Sequence, residues 1–363
     1  MKIHRHIHHH SKRNPILAVF AVASAAALIV LLATNGATIL AQARSIFLEL
    51  ESGSRMNVTQ KSDTTASNGK YIQFSNGSDS TPAPDPDPDP IPTPSGGYPN
   101  ASNTGLSNPG AINKTYNGKV VLEDGDTLEN AEIFGGLIKI RGNNVTIRNV
   151  YLQVSSGTAS GILVDGDYSG IVIEDVDIDG DHKGPEDFGS VGVNGKGFTL
   201  RRAYIHGQQS GIRPKGNNVI EDNYVHNSWN NDISHGTGAS IHGAQNIVFR
   251  HNTLTFDAVR GGSSALSIYG DVGPNDNILI ENNLFYAKAA YCFKGGWSDG
   301  KPYGHDISNI RFHDNRFSTQ FFPDCGRSGP VSNWNATAPG NSWCNNRWHE
   351  TNVLVKPENR CLR

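Results

Sequence analysis

The stretch IVFRHNTL, at residues 247–254, is one of eight copies of a short pattern that decides the fold. The other copies are VTIRNVYL (145–152), IVIEDVDI (171–178), FTLRRAYI (198–205), V-IEDNYV (219–225), ILIENNLF (278–285), IRFHDNRF (310–317) and NSWCNNRW (341–348). The copy at 219–225 is one residue shorter and is aligned with a gap at its second position, and the last copy departs at its first position. Successive copies begin about 20 to 32 residues apart. In most copies the inward-type residues keep a period of two that is broken once, which is typical of a strand, a sharp turn and a second strand.

The sixth position of the pattern indicates how the copies stack. It is occupied in chain order by Val150, Val176, Ala203, Asn223, Asn252, Asn283, Asn315 and Asn346. A column of Asn at one turn of successive coils can hydrogen-bond along the stack and satisfy buried backbone groups. Short stacked repeats of this kind predict a β-solenoid. His251 precedes one of these residues and is predicted to be a solvated turn residue.

The rung pattern over residues 98–363 resembles the right-handed parallel β-helix, or pectate-lyase-like, superfamily. The resemblance implies an all-β domain folded as a right-handed parallel β-helix. It specifies no single enzyme family within that superfamily.

The first 43 residues have the composition of a targeting segment. A basic start precedes an apolar run from Pro15 to Ala33, and small residues at Ala41 and Ala43 form a candidate cleavage site. The run is also long enough to stay in a bilayer as an anchor, so residues 1–43 are a signal peptide or a membrane anchor. With either alternative the rest of the chain is exported, and we expect a secreted or cell-surface protein.

Two segments separate this leader from the repeats. Residues 81–97, TPAPDPDPDPIPTPSGG, form a Pro- and Asp-rich linker that is predicted to be extended, solvated and disordered. Residues 44–80 resemble the start of a carbohydrate-binding β-sandwich module, through Glu49, Glu51, Gly53, Ser67, Gly69 and Phe74. A sandwich needs roughly 100 residues, so this segment is interpreted as a remnant or a stalk.

Charge and cysteine content narrow the possible partners. A formal net charge of −3 argues against nucleic-acid binding, and we expect a monomer that meets membrane only through its N-terminus. The four cysteines allow three pairings, and an oxidising compartment favours disulfides over metal or catalytic roles. We favour Cys292–Cys325 and Cys344–Cys361.

A second strand precedes each copy and ends at a glycine, as in GIRPKG (211–216), ASIHG (239–243) and LSIYG (266–270). Counting back from that glycine, the second and fourth residues are mostly apolar, so the first and third face outward. The predicted outer column is Arg141, Asp165, Asn194, Lys215, His242, Tyr269 and Lys294. The column beside it is Lys139, Leu163, Gly192, Arg213, Ser240, Ser267 and Cys292.

This outward surface is cationic and aromatic, which suits an extended acidic polysaccharide. A lyase acting on a uronate needs a cation at the C5 carboxylate, a base for the C5 proton and an acid at the O4 leaving group. Lys215 or Arg213 could neutralise the C5 carboxylate, and Tyr269 could be the acid that protonates O4. His242, or His235 on the loop entering the same strand, could be the base. Substrate contacts are expected from Lys139, Arg141, Asp165, Asn194, Ser240 and Lys294.

Other functions remain open. A glycosidase would need two facing carboxylates, and Asp165, Asp232 and Asp271 are the nearest candidates, so a hydrolase is the weaker enzymatic alternative. Exported β-helix proteins similar to this one carry Ser-His-x-Asp-Gly-x-Gln at the loop that holds His235. Here Thr237 and Ser240 replace the Asp and the Gln. A non-catalytic glycan-binding or adhesive protein is therefore the main alternative, and a structural cell-envelope protein is the third.

One acidic segment raises the question of calcium. DVDIDGDHKGPE, residues 175–186, fits the EF-hand loop pattern. That loop requires flanking helices, whereas here Val176 and Ile178 belong to a β rung, so we reject an EF-hand. A Ca²⁺ site formed by Asp179, Asp181, Glu186 and Asp187 remains a weaker hypothesis.

Overall fold

A computed structural model describes residues 58–62, 70–74, 97–155, 157–180, 190–227, 235–258, 262–356 and 361. The predicted leader at 1–43 and nearly all of the 81–97 linker lie outside these residues. The chain divides into two units, residues 1–87 and 88–363. Within the described ranges, no helix is both long and apolar enough to span a membrane.

The described part of the chain is almost entirely β-structure. In the first unit, β1 (Val58–Ser62) and β2 (Lys70–Phe74) form an antiparallel pair. In the second, one 3-10 turn (Pro109–Ala111) precedes β3 (Lys114–Leu122), β4 (Thr127–Ile140), β5 (Thr146–Val154), β6 (Ser160–Val164), β7 (Ile171–Asp179), β8 (Val191–Gly195), β9 (Phe198–Arg201), β10 (Tyr204–His206), β11 (Ser210–Pro214), β12 (Asn218–Glu221), β13 (Tyr224–Asn227), β14 (Gly236–His242), β15 (Gln245–Arg250), β16 (Thr253–Phe256), β17 (Gly262–Tyr269), β18 (Asn275–Glu281), β19 (Leu284–Ala287), β20 (Tyr291–Lys294), β21 (Ile307–His313), β22 (Arg316–Phe317), β23 (Val331–Ser332), β24 (Ser342–Cys344) and β25 (Arg347–Trp348).

Every pairing between strands of β3–β25 is parallel, and each strand pairs with its equivalents in the coils before and after it. The pairings define three stacks. Stack A contains β6, β8, β11, β14, β17, β20 and β23, stack B contains β9, β12, β15, β18, β21 and β24, and stack C contains β10, β13, β16, β19, β22 and β25. The longer strands β5 and β7 continue from stack B into stack C. This is the arrangement of a parallel β-helix, and it confirms the all-β, parallel, coiled architecture expected from the repeat.

The corner between stacks B and C explains the irregular step in the repeat. The fifth residue of each copy, just before the Asn column, has a positive φ between 51° and 59°, and it is usually Asn or Asp. Short polar side chains tolerate this left-handed conformation better than most residues. This single residue turns the chain sharply between two strands, and the residues on both sides of it still point into the core. Each eight-residue copy can therefore contain two strands.

The predicted Asn ladder is confirmed. Asn223, Asn252, Asn283, Asn315 and Asn346 are fully buried. The Oδ1 of each residue accepts hydrogen bonds from the backbone N–H of the ladder residue one coil earlier, at 2.9–3.0 Å for the four Asn–Asn steps. Their amide groups also donate to carbonyls of stack B, such as Phe249 O at 3.0 Å from Asn283. The ladder therefore satisfies corner backbone groups that the core would otherwise leave unpaired.

The core is aliphatic along most of the coil and aromatic near the C-terminal end. There Phe285, Phe293, Phe312, Phe317 and Trp343 are all buried, and the rings of Phe312 and Trp343 stack at 4.6 Å. Disulfides Cys292–Cys325 and Cys344–Cys361 link chain segments in the same region, which confirms the favoured pairing. Cys292 is fully buried, although its place in the outward-facing column beside the predicted outer column implies exposure. It is buried because its sulfur is bonded to Cys325, which is itself buried.

His251 is not the solvated turn residue that the sequence predicted. It lies at the B–C corner as expected, but its side chain is only 16% exposed. Its Nδ1 is 2.5 Å from Asp222 Oδ1, and the ring of Tyr98 lies 5.5 Å away. Tyr98 belongs to the segment that precedes β3, and burial raises the pKa of its hydroxyl to about 12. This contact could not be predicted from the sequence, because Tyr98 and His251 are distant in the chain.

A ladder of alternating charge runs along the outer face of stack B. Neighbouring coils place the following residues side by side: Glu129, Arg148, Glu174, Arg201, Glu221, Arg250 and Glu281. Burial of Glu174 opposes its ionisation, yet Arg148, Arg201 and Arg202 all bind its carboxylate and lower its pKa to about 2. Opposite charges directly across neighbouring strands stabilise a sheet, and like charges destabilise it. The ladder thus favours the observed register and neutralises this face.

Reversing one charge of the ladder should expose its contribution. In Arg250→Glu, a third carboxylate would stand between Glu221 and Glu281, which Arg250 now approaches at 3.9 and 2.6 Å. We expect a loss of about 1 kcal/mol in the free energy of unfolding, shrinking as salt is added. Urea denaturation at low and high salt measures this loss. Arg311→Glu is the control, since Arg311 contacts the Asn277 amide oxygen and forms no ion pair with a carboxylate in the described ranges. Equal losses in both variants would contradict the ladder's role.

Candidate functional site

The outer face of stack A carries the predicted site, but its columns differ from those read from the sequence. Asn194 pairs with Leu163 and Arg213, and Lys294 pairs with Ser267. Both residues therefore lie two positions away from the column that contains His242 and Tyr269, and their predicted placement is wrong. The predicted columns require the terminal glycines of all these strands to lie in register. In fact Gly195 pairs with Pro214, and β20 ends two residues early.

The strands β11, β14, β17 and β20 together form an open cavity of about 340 Å³. Its lining consists of Gln209, Arg213, His235, Thr237, Ser240, His242, Ser263, Tyr269, Asp271, Lys294 and Lys301. Three lining residues are permanently basic and one is a carboxylate, so the cavity has a surplus of positive charge. The charged side chains on stack B alternate in sign and balance one another, whereas those of this cavity are mostly positive.

Arg213 is one of the basic groups that line the cavity. Its guanidinium is half-buried, and the Nε lies 3.4 Å from Ser240 Oγ. Within the described part of the chain, no carboxylate forms an ion pair with it. Burial lowers the pKa of Arg213 because the charged form loses water, although the group stays protonated near neutral pH. A half-buried cation without a partner is suited to binding an anion from solution.

His242 lies in the same cavity and forms a pair with a carboxylate. Its Nδ1 is 3.3 Å from Asp271 Oδ2, and its ring lies 4.9 Å from that of Tyr269. Burial and the charge of Arg213 lower the pKa of His242, and Asp271 opposes them. The shift is downward, so the ring is neutral at pH 7 and can accept a proton.

Tyr269 stands between the cationic groups at one end of the cavity. The ammonium groups of Lys294 and Lys301 each lie 6.0 Å from the centre of its ring. Ser240 and Ser267 occupy adjacent positions in the neighbouring column, and both are buried. Ser240 faces outward as predicted but is covered, since the Arg213 side chain reaches its hydroxyl. These small side chains form a floor that leaves room above them for a ligand.

Several predicted site residues lie outside the cavity. Lys139 and Arg141 both bind Asp165, at 2.8 and 3.2 Å, and the Lys139 ammonium and the Arg141 guanidinium lower the pKa of its carboxyl. These groups neutralise one another, which weakens their case as substrate ligands. Lys215 lines a separate depression with Lys196 and Asn217. Of the two basic groups proposed to neutralise a substrate carboxylate, only Arg213 shares the cavity with His242.

The loop histidine and the acidic segment are only partly described. His235 is exposed at the rim of the cavity, and Thr237 lines it. Asp232 lies outside the described residues, as do Asp181, Glu186 and Asp187. Asp179 accepts a hydrogen bond from the Tyr151 hydroxyl at 2.8 Å. Asp175–Asp179 belong to strand β7, consistent with rejecting an EF-hand.

Two further observations bear on the chemistry. Among the residues that the structure describes, no cluster of three or more His, Cys, Asp or Glu side chains is placed to hold a metal ion. Asp271 is the single carboxylate among the residues lining the cavity, whereas a glycosidase needs a facing pair.

Sequence reasoning did not find the roles of Asp271 and Lys301. The sequence suggests Asp271 only as a glycosidase carboxylate, and it gives no indication of a role for Lys301. Asp271 follows Gly270 directly, so its position just beyond the strand end was a signal that could have been used. Lys301 lies in a loop between β20 and β21, where no periodicity indicates which way a side chain points.

In comparisons with protein-family models, with curated proteins and with solved structures, the chain matched none of them. The site must therefore be interpreted from its own geometry.

Proposed function

We propose that this protein acts on an acidic polysaccharide, as a lyase that cleaves next to a uronate. The observation that carries the proposal is that Arg213 and His242 line the same open cavity. Arg213 is a half-buried cation that has no counter-ion among the described residues, and His242 has a lowered pKa. The resemblance to the right-handed pectate-lyase-like superfamily and the predicted export of the chain agree with this function.

In the proposed reaction, Arg213 binds the C5 carboxylate of the sugar and stabilises the negative charge that develops as the C5 proton leaves. The Nε2 of His242 takes that proton. The electron pair forms the C4–C5 double bond, the C4–O4 bond breaks, and the departing oxygen receives a proton from the Tyr269 hydroxyl. Asp271 supports the histidine, and Lys294 offers a second cation to the glycan.

A non-catalytic glycan-binding protein is the second candidate. It is favoured by the loop at His235, where Thr237 stands in place of the expected Asp and so cannot orient the histidine as a carboxylate would. A binder would use the same cationic cavity and the same Tyr269 ring. The two candidates differ only in whether the bound sugar loses its C5 proton.

The deciding experiment is a screen of uronate-containing polysaccharides. Binding would be measured by calorimetry, and unsaturated product would be followed by its ultraviolet absorbance. A uronate polymer that binds and yields unsaturated product supports a lyase. One that binds without any product supports the binder, and absence of binding to every acidic glycan would refute both.

Arg213→Met should weaken binding of the acidic glycan about tenfold or more, because a charge-assisted hydrogen bond is worth roughly 1.5–3 kcal/mol. The wild-type affinity should fall as salt is added, and this dependence should be weaker in the variant. Titration calorimetry at two salt concentrations measures both effects. Arg311→Met removes an exposed arginine from stack B and should change neither. An Arg213→Met protein with unchanged affinity would place the binding site elsewhere.

A further inference from the structure

A short loop carries Lys301 to the cavity. Residues 295–306 connect β20 to β21, and hydrogen bonds hold the loop in shape: Ser298 N donates to Gly304 O, and Gly304 N to Lys301 O, both at 3.1 Å. The loop is also fixed to the end of β17, where Tyr303 N donates to Gly270 O at 2.9 Å. Gly270 permits this approach, since a Cβ there would lie only 2.4 Å from Tyr303 O.

The loop brings Lys301 against the carboxylate that supports His242. Lys301 Nζ lies 3.0 Å from Asp271 Oδ1, while Asp271 Oδ2 lies 3.3 Å from His242 Nδ1. Lys301 thus forms an ion pair with one oxygen of the carboxylate, and His242 contacts the other. The ion pair limits rotation of the carboxylate. An ionised carboxylate can only accept hydrogen bonds, so the imidazole nitrogen that contacts it is the one that carries the proton.

We propose that Lys301 is a positioning residue that fixes Asp271 so that His242 donates its Nδ1 proton to the carboxylate and presents a bare Nε2 to the cavity. This inference rests on the proposed function for its purpose, since a bare Nε2 is what a base for the C5 proton requires. The arrangement itself follows from the contacts among Lys301, Asp271 and His242. Without Lys301, the carboxylate could rotate away from Nδ1, and the neutral imidazole would no longer be held with its proton on that nitrogen.

The charges around His242 determine the direction of the effect. Arg213 on β11, Tyr269 on β17, Lys294 on β20, His235 at the rim, and Asp271 and Lys301 line the same cavity. Burial, Arg213 and Lys301 lower the pKa of the imidazole, and Asp271 raises it. Removing the Lys301 charge takes away one of the influences that lower this pKa. The pKa of His242 therefore rises.

The test is an NMR titration of His242 in the full chain without any glycan. Lys301→Met should raise the pKa of the imidazole by about half a pH unit or more and should reduce the fraction protonated at Nδ1 in the neutral ring. Lys301→Arg, which keeps the charge, should stay close to wild type. Lys119→Met, an exposed lysine on β3, should change nothing. An unchanged pKa and an unchanged tautomer in Lys301→Met would overturn the proposal.

A second pair of variants tests the loop without removing a charge. Gly270→Ala should push Tyr303 and the loop away and raise the pKa of His242 in the same direction. Gly300→Ala adds a methyl group that meets only Ser298 Oγ, at 3.6 Å, and should have no effect. Equal pKa values in these two variants would contradict a positioning role for the loop.

These measurements need no substrate, so they are independent of the glycan screen. If no acidic glycan binds but the pKa of His242 moves as expected in Lys301→Met, the positioning role stands and the proposed function fails. If unsaturated product forms but Lys301→Met leaves His242 unchanged, the proposed function stands and the inference fails.

Discussion

His242→Ala should lower the rate of unsaturated-product formation by about 10²–10⁴-fold, the contribution expected of a positioned general base. Binding of the same glycan should stay within a few-fold of wild type, because Arg213 and Lys294 still meet its carboxylates. Initial rates from ultraviolet absorbance and affinities from calorimetry separate the two effects. A large loss in rate with little change in affinity is the signature of a group that acts in the transition state.

The pH dependence provides a second measurement at the same residue. A base is active only when neutral, and the pKa of His242 lies below the ordinary histidine value of 6.5. The rate should therefore be on its plateau at pH 7 and should decline only below about pH 6.5, as the ring becomes protonated. Asp271→Asn removes the charge that raises this pKa, so the decline should move to lower pH.

The matched control is a histidine–carboxylate pair on another stack. His226 Nε2 lies 2.6 Å from Asp257 Oδ2 on stack C, outside the cavity. His226→Ala should leave both rate and affinity near wild type. If the two alanine variants lose activity equally, the loss reflects the fold rather than catalysis. If wild type binds the glycan and never forms unsaturated product, the lyase is refuted and the binder remains.

Asn283→Leu should cost about 3 kcal/mol in the free energy of unfolding, as more than one buried polar group would be left without a partner. Asn283 accepts hydrogen bonds from Asn252 N and Nδ2, both at 2.9 Å, and its own amide donates to Phe249 O and Asn315 Oδ1, both at 3.0 Å. Leucine has a similar volume but can replace none of these contacts. Urea denaturation followed by circular dichroism measures the loss.

Asn194→Leu is the control for the ladder. Asn194 faces outward on stack A, and its neighbour on β6 is already leucine, Leu163. Its amide makes one bond, to Ser160 Oγ at 3.1 Å, so the change should cost about 0.5 kcal/mol or less. Similar losses in Asn194→Leu and Asn283→Leu would mean that the inward and outward assignments are wrong.

The sequence was sufficient for features that depend on a local period. A two-residue alternation assigns each side chain of a strand to the core or to the outside, whatever the rest of the chain does. The Asn ladder, the parallel coils and the outward position of His242 could all be predicted for this reason. The disulfide pairing was one of three alternatives, and the structure confirmed the favoured one.

Only the tertiary structure decided which outward side chains meet. The two-residue shifts at Asn194 and Lys294 arise where strands end, and the strand ends are set by how the loops pack. Asp165 neutralises Lys139 and Arg141, whereas no carboxylate of the described residues forms an ion pair with Arg213. Lys301 reaches Asp271 from a different coil, 30 residues along the chain. Long charged side chains pair with whichever opposite charge lies nearest in space. That distance cannot be read from a local sequence period.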